Sequence, residues 1–156
     1  MVAFGCTEPS QKASMQKNDL TATEKLVSSE TAKEVMTSKL NLIGGKRNGS
    51  AYYEYDEASA QKALQDGKVV YLEFYASWCP TCRSMEPNIK EAFENADNPG
   101  IVGFRVNYDS AESLKKKYQI SYQHTRVILK GDKVLIKSSE SWNSDKILEE
   151  LQKAAV

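Results

Sequence analysis

The sequence predicts an α/β fold in which a mixed central β-sheet is flanked by helices on both faces, behind an N-terminal extension. Three observations point there. From Ala51 onward, strand-like and helix-like stretches alternate, as parallel pairing through helical crossovers requires. Val69 to Ala76 is an almost continuous apolar, β-prone run, the pattern of a strand covered on both faces. The chain then places two short apolar runs either side of Lys130-Gly-Asp-Lys133, which demands an antiparallel edge.

Residues 1–20 are rich in Ser, Thr, Gln, Lys and Asn and poor in large apolar groups, so they read as a mobile tether that does not offset the entropy of ordering. Residues 21–50 read as an extension with a helix over about 22–40, opened by the Thr21 and Glu24 capping box and carrying Leu26, Val27, Val35, Met36 and Leu40. Gly44 to Ser50 is turn chemistry and marks the boundary of a domain over 51–156. Within that domain Tyr52, Tyr53 and Tyr55 suggest a short strand, and Asp56 caps a helix that runs through Leu64 and stops at Gly67. The apolar strand ending at Ala76 leads into a helix to about Asn95, with Met85, Ile89, Ala92 and Phe93 on one side, broken by Asn98-Pro-Gly100. Ile101 to Val106 reads as a second buried strand and Ala111 to Tyr118 as a short helix. Arg126 to Leu129 and Val134 to Lys137 form the hairpin, and Ser144 to about Ala154 is a last helix with Ile147, Leu148 and Leu151 toward the core.

At 156 residues and 40% hydrophobic, the chain buries one core and an appendage. Lys+Arg and Asp+Glu both number 21, so the net charge is zero and a general attraction to nucleic acid or anionic membrane is excluded. No run approaches the roughly 20 apolar residues that span a bilayer. Three cysteines rule out a disulfide-stapled framework, because Cys79 and Cys82 are neighbours and Cys6 is remote. The opening Met1-Val-Ala-Phe-Gly-Cys6 admits two readings: an ordinary start with an incidental Cys, or the tail of a bacterial lipoprotein signal whose Cys is lipidated. In the second, Thr7 to Asp19 is the tether after the anchor, although Ala3 stands where a larger aliphatic residue is usual.

The chemistry concentrates at Cys79-Pro-Thr-Cys82. Two thiols separated by two residues close a disulfide only where the backbone curls, as in the first turn of a helix. Pro80, with a preset φ and no amide donor, suits the first helical position, so Cys79 is expected at the helix start, where N–H groups and the helix dipole stabilise a thiolate. Cys79 is then the nucleophile, and Cys82, one turn deeper, attacks the mixed disulfide that Cys79 forms. Two other readings stand beside this one. The pair could be half of a zinc site, although the chain has one His and no second Cys pair, or two inert buried cysteines.

Phe74-Tyr-Ala-Ser-Trp-Cys-Pro-Thr-Cys-Arg83 resembles the active-site segment of the thioredoxin family, and the resemblance covers roughly residues 51–154. It implies a thiol-disulfide oxidoreductase that reduces protein disulfides by cycling between dithiol and disulfide, with no bound organic cofactor and no metal. Glu73, six residues before Cys79, matches the family's buried acid, which the resemblance implies relays a proton to or from Cys82. Burial in a strand interior raises a carboxyl toward the range a general base needs. Strand alternation puts Glu73 on the face of Tyr71 and Tyr75; an outward-facing glutamate is the alternative. Arg105 falls where the family often carries a Lys close to that acid, and either holds Glu73 ionised or is a solvated strand-end arginine. Trp78 matches an exposed aromatic that shields the disulfide, with a core tryptophan as the alternative, and Pro80, Thr81 and Thr125 complete the expected surroundings of the sulfurs.

The departure is Tyr122-Gln-His-Thr125, where His124 occupies the position usually held by a cis-proline. A cis bond before a non-proline costs about 3 kcal/mol, so a trans bond is expected. Facing the sulfurs, the ring would favour the Cys79 thiolate as imidazolium, accept a proton as neutral base, or join Cys79 and Cys82 in holding a soft metal ion; a packed histidine without a chemical role is the alternative. The tetrapeptide is similar to a variant among extracytoplasmic bacterial thioredoxin-like proteins that are re-reduced by a membrane electron transporter. The expected partners are therefore protein disulfide clients and a membrane or soluble electron donor. The expected form is a monomer outside the cytoplasm, periplasmic or lipid-anchored at Cys6, with a cytoplasmic protein and a metal-binding carrier module as rivals.

Overall fold

A computed structural model describes residues 40–46 and 49–156. Six strands form one mixed sheet in the order β1-β2-β4-β3-β5-β6. They are β1 (Leu42–Gly45), β2 (Ala51–Glu54), β3 (Val69–Tyr75), β4 (Ile101–Asn107), β5 (Arg126–Lys130) and β6 (Lys133–Ser138). Strand β4 runs parallel to β2 and β3, whereas β1 with β2, β3 with β5 and β5 with β6 are antiparallel. Among the described residues there are four α-helices, α1 (Glu57–Gln65), α2 (Pro80–Ala96), α3 (Glu112–Tyr118) and, after the last strand, α4 (Ser144–Ala155), with a 3-10 turn at Tyr108–Ser110 before α3.

Two of the helix starts are capped by a side chain just before them. Asp56 accepts the N–H of Ser59 to open α1, and Asn143 does the same for Lys146 in α4. The sheet divides the core into two layers. On one face Val70, Leu72, Phe74, Phe104, Val127 and Leu129 pack with Ala60 and Ala63 of α1 and with Leu114 and Tyr118 of α3. On the other, Tyr52, Val69, Tyr71 and Ile128 pack with Met85, Ile89 and Phe93 of α2 and with Ile147 and Leu151 of α4. Helices thus cover both faces, which explains why all but the last residue of β3 is buried.

The sheet begins before the boundary suggested by the turn-forming run at 44–50. Leu42–Gly45 is a strand paired with β2, and its glycines serve packing as well as turning. A Cβ on Gly44 would meet Lys90 of α2 at 2.9 Å, and Gly45 has φ +77° with the Ser50 carbonyl where a Cβ would be. The expected tether over 1–20, the expected helix over 22–40 and Cys6 lie outside the described residues, except that Leu40 packs against the α1/α3 layer.

Candidate active site

Strand β3 ends at Tyr75, and the chain turns through Ala76, Ser77 and Trp78 into α2. Cys79 is the N-cap of α2 (φ −83°, ψ 114°) and Pro80 its first residue. The Cys82 backbone N–H donates to Cys79 Sγ at 3.2 Å, and the Arg83 N–H to the Cys79 carbonyl at the same distance. The sulfur thus stands at the N-terminal end of the helix, with one backbone N–H pointing at it. Cys82 lies one turn inside, fully buried, and both cysteines are free thiols. Burial pushes the Cys82 thiol up to about 12, reinforced by its contact with Cys79 and by the charge of Glu73, and opposed by the Ala76 backbone. One sulfur accepts a helix-start N–H, while the other is held protonated by burial. The mouth is capped by Trp78, 55% exposed, whose indole N–H donates to Asp109 at 3.0 Å. Thr81 is exposed beside it, and Arg83 Nη1 donates to the Ser77 carbonyl at 2.7 Å, bracing the turn.

Beneath the thiols, Glu73 is buried on the α2/α4 face of the sheet. Tyr52 donates its hydroxyl to Glu73 Oε2, while Oε1 has no hydrogen-bond partner among the described residues. Tyr52 is aimed by its ring stack on Phe93, with centroids 5.4 Å apart. Gly103 beneath the pair leaves room for them, since a Cβ there would lie 2.8 Å from the Tyr52 ring. Burial raises Glu73 from 4.5 to about 7, against the Tyr52 hydrogen bond and the charges of Arg126 and Arg105, with Glu86 adding to the rise. The outward-facing alternative for Glu73 is thereby excluded.

Two expected residues, Arg105 and His124, have surroundings that the sequence does not reveal. Arg105 is the β4 register partner of Glu73, but its guanidinium pairs with Glu54 and, at 3.3 Å, with Glu86, and lies 4.8 Å from the Tyr75 ring centroid. Its charge is shared with those carboxylates and still favours ionised Glu73, after the larger effect of Arg126. His124 is buried with φ +67°, and every peptide bond among the described residues is trans. Its backbone extends the sheet, donating to the Phe74 carbonyl at 2.7 Å, while Thr125 accepts from the Phe74 N–H at 2.8 Å and its hydroxyl bonds the Tyr122 carbonyl. Burial and the neighbouring Arg126 lower the His124 value, with the backbone of Ser139 and Glu140 opposing. The ring is thus disfavoured as a cation. Both ring nitrogens lack a hydrogen-bond partner among the described residues, and a ring disfavoured as a cation is a poor source of the expected imidazolium support for Cys79. No group of three His, Cys, Asp or Glu side chains among the described residues is arranged to hold a metal ion, and Cys79, Cys82 and His124 do not form one.

Arg126 escaped the sequence reading. It is 1% exposed, pairs in register with Glu73 across β3 and β5, and lies 4.5 Å from the Trp142 ring centroid. The available signal was an arginine opening an apolar strand, but its opposition to Glu73 depends on a strand pairing that no local pattern reveals.

The family model described as Thioredoxin matches residues 51–153. Thioredoxin-T of Drosophila melanogaster is 34% identical over 101 residues, which are 64% of this chain and 62% of that protein. A thioredoxin H-type of Oryza sativa subsp. indica is 35% identical over 91 residues, covering 54% of this chain and 73% of that protein. Among solved structures, a mutant thioredoxin of Halobacterium salinarum superimposes with a TM-score of 0.58 at 19% identity, covering 70% of this chain and 93% of that one.

Proposed function

Starting from a chain that belongs to the thioredoxin family, we propose that it reduces protein disulfides by dithiol-disulfide exchange at Cys79 and Cys82. The observation that carries this reading is a helix-capping sulfur next to a second, buried thiol that feels the charge of Glu73, a buried carboxyl with one unpartnered oxygen. Cys79 attacks one sulfur of a client disulfide, the client's S–S bond breaks, and a Cys79–client disulfide forms with release of one client thiolate. Cys82 then gives its proton to Glu73, attacks Cys79, and expels the second client thiol, leaving a Cys79–Cys82 disulfide. Two electrons pass to the client, and an external dithiol donor must return them. The rise of Glu73 to about 7 suits it to take that proton near neutrality and release it afterwards.

Trp78, adjacent to Cys79 in the chain, and Tyr122, in the loop that leads to His124, are 55% and 70% exposed and suit contact with an extended client. The bacterial, extracytoplasmic setting, the lipid anchor at Cys6, the monomeric state and a membrane electron donor belong to the same proposal, supported by the Val2-Ala-Phe-Gly-Cys6 pattern and the polar tract after it. The test is to replace Cys82 with Ser and trap clients in the native host. Adducts joined through Cys79, lost when Cys79 is also Ser, are the expected result; a full-length protein that yields no adducts sinks the exchange reading. Incorporation of labelled fatty acid that disappears in Cys6→Ser tests the anchor.

A further inference from the structure

The α2/α4 face of the sheet buries four polar side chains that hydrophobic packing alone does not call for. Tyr71 Oη, Glu73 Oε1, both ring nitrogens of His124, and Nε and Nη1 of Arg126 are all shut from solvent with no hydrogen-bond partner among the described residues. Arg126 is the hub of the group, since its charge acts on Glu73, Tyr71 and His124 alike. A buried guanidinium is costly unless a charge answers it, and the answering group here is Glu73, its register partner on the adjacent strand. Trp142 closes the other side.

We propose that Arg126 is a positioning residue for exchange at this site: its walled-in guanidinium favours, against burial, the ionised form of Glu73 that accepts the Cys82 proton, without occupying the oxygen that must receive it. The inference rests on the exchange reading above and assigns a part to a residue outside its two-thiol chemistry. Three observations argue for it. First, the guanidinium does not bind Oε1, so that oxygen stays open to the proton, whereas a direct bidentate pair would occupy it. Second, the other cation facing Glu73, Arg105, is engaged by Glu54 and Glu86, which leaves Arg126 as the stronger. Third, an arginine stays charged throughout the working pH range, so the field it sets is constant while Glu73 and Cys82 titrate. The remaining groups facing Glu73 are Tyr52 on β2, Tyr71 on β3, and Glu86 and Cys82 on α2. Tyr52 and Tyr71 are held neutral by burial, and Glu86 opposes ionisation.

The experiment uses the reduced full-length protein and follows the protonated Glu73 carboxyl by infrared difference spectroscopy across pH, assigned with Glu73→Gln. Arg126→Gln is expected to move the midpoint upward by about one to three pH units, and Arg126→Lys to restore it to within about half a unit. In parallel, the pH dependence of thiol release from a Cys79 mixed disulfide should shift by the same amount in Arg126→Gln and return in Arg126→Lys. If Gln prevents folding, Arg126→Met, which buries no polar group, takes its place and carries the same expectation. An unmoved carboxyl midpoint overturns the inference. A moved midpoint with an unmoved release profile overturns it as well, provided Glu73→Gln alters that profile. If Glu73→Gln leaves the profile unchanged, the proton-transfer step of the exchange reading has failed, and the assignment to Arg126 falls with it.

Discussion

The two faces of the sheet are built from the same strands and yet obey different rules. The α1/α3 face buries Val70, Leu72, Phe74, Phe104, Val127 and Leu129, all apolar side chains packed on apolar helices. The α2/α4 face is apolar toward one end, at Val69, Tyr71 and Ile128, and polar toward the end of β3 that leads into Cys79, at Glu73, His124 and Arg126. Alternation along β3 separates them, because Leu72 and Phe74 point one way while Tyr71 and Glu73 point the other. Removing a side chain from the first face should therefore cost stability and leave the chemistry intact. Changing the second should alter chemistry and pH dependence more than the fold.

The largest effect is expected at the mouth of the polar face. Cys79→Ser should abolish reduction of a model disulfide, measured by turnover with a dithiol donor, while the melting temperature stays close to that of the reduced parent. Next in size is a cavity on the apolar face. Phe104→Ala should lower stability by about 3–5 kcal/mol in denaturant titration, with the infrared midpoint of Glu73 unmoved. A shifted midpoint would mean that the two layers are coupled through the sheet.

Glu73→Gln should distinguish the faces by pH. A carboxyl whose folded value stands above its unfolded one adds stability below the unfolded value and loses it as pH rises through the folded value. The rise from 4.5 to about 7 means that ionised Glu73 costs the fold about 3 kcal/mol above pH 7 and nothing below about pH 4.5. Glu73→Gln should therefore gain about that much relative to the parent between pH 4 and pH 8, read as the difference of their denaturation free energies. A flat difference across that range would remove the case for a buried acid. The smallest effect belongs to the rim. Asp109→Ala removes the exposed hydrogen bond to Trp78 and should cost under about 1 kcal/mol, with at most a few-fold change in client reduction.

How far these residues could be read in advance follows from how local their signals are. The helix start at Cys79 and Pro80 was legible because capping, a preset proline φ and the preceding apolar strand are consecutive in the chain. Asp56 as a cap was legible for the same reason. The face of Glu73 followed from a period of two along a single strand. Strand β1 was misread because Gly44 and Gly45 carry turn chemistry, and only the approach of α2 explains why small residues belong in a strand there. Arg105 was expected near Glu73 from the family position alone; its register opposite Glu73 and its engagement with Glu54 on β2 and Glu86 on α2 depend on elements far apart in sequence.

By itself, then, the sequence determined the two-layered alternation of strands and helices, the thiol at a helix start and the acid one strand below it. Each of these follows from neighbours within a turn or a strand. Tertiary structure alone decided which cation answers Glu73, that the His124 ring is buried, and that Trp142 closes over Arg126. Those outcomes turn on strand register and on the angle at which α4 and its approach meet the sheet. Register carries a buried charge to one face or the other in single-residue steps, and it is set by the packing of the whole sheet rather than by any stretch of chain.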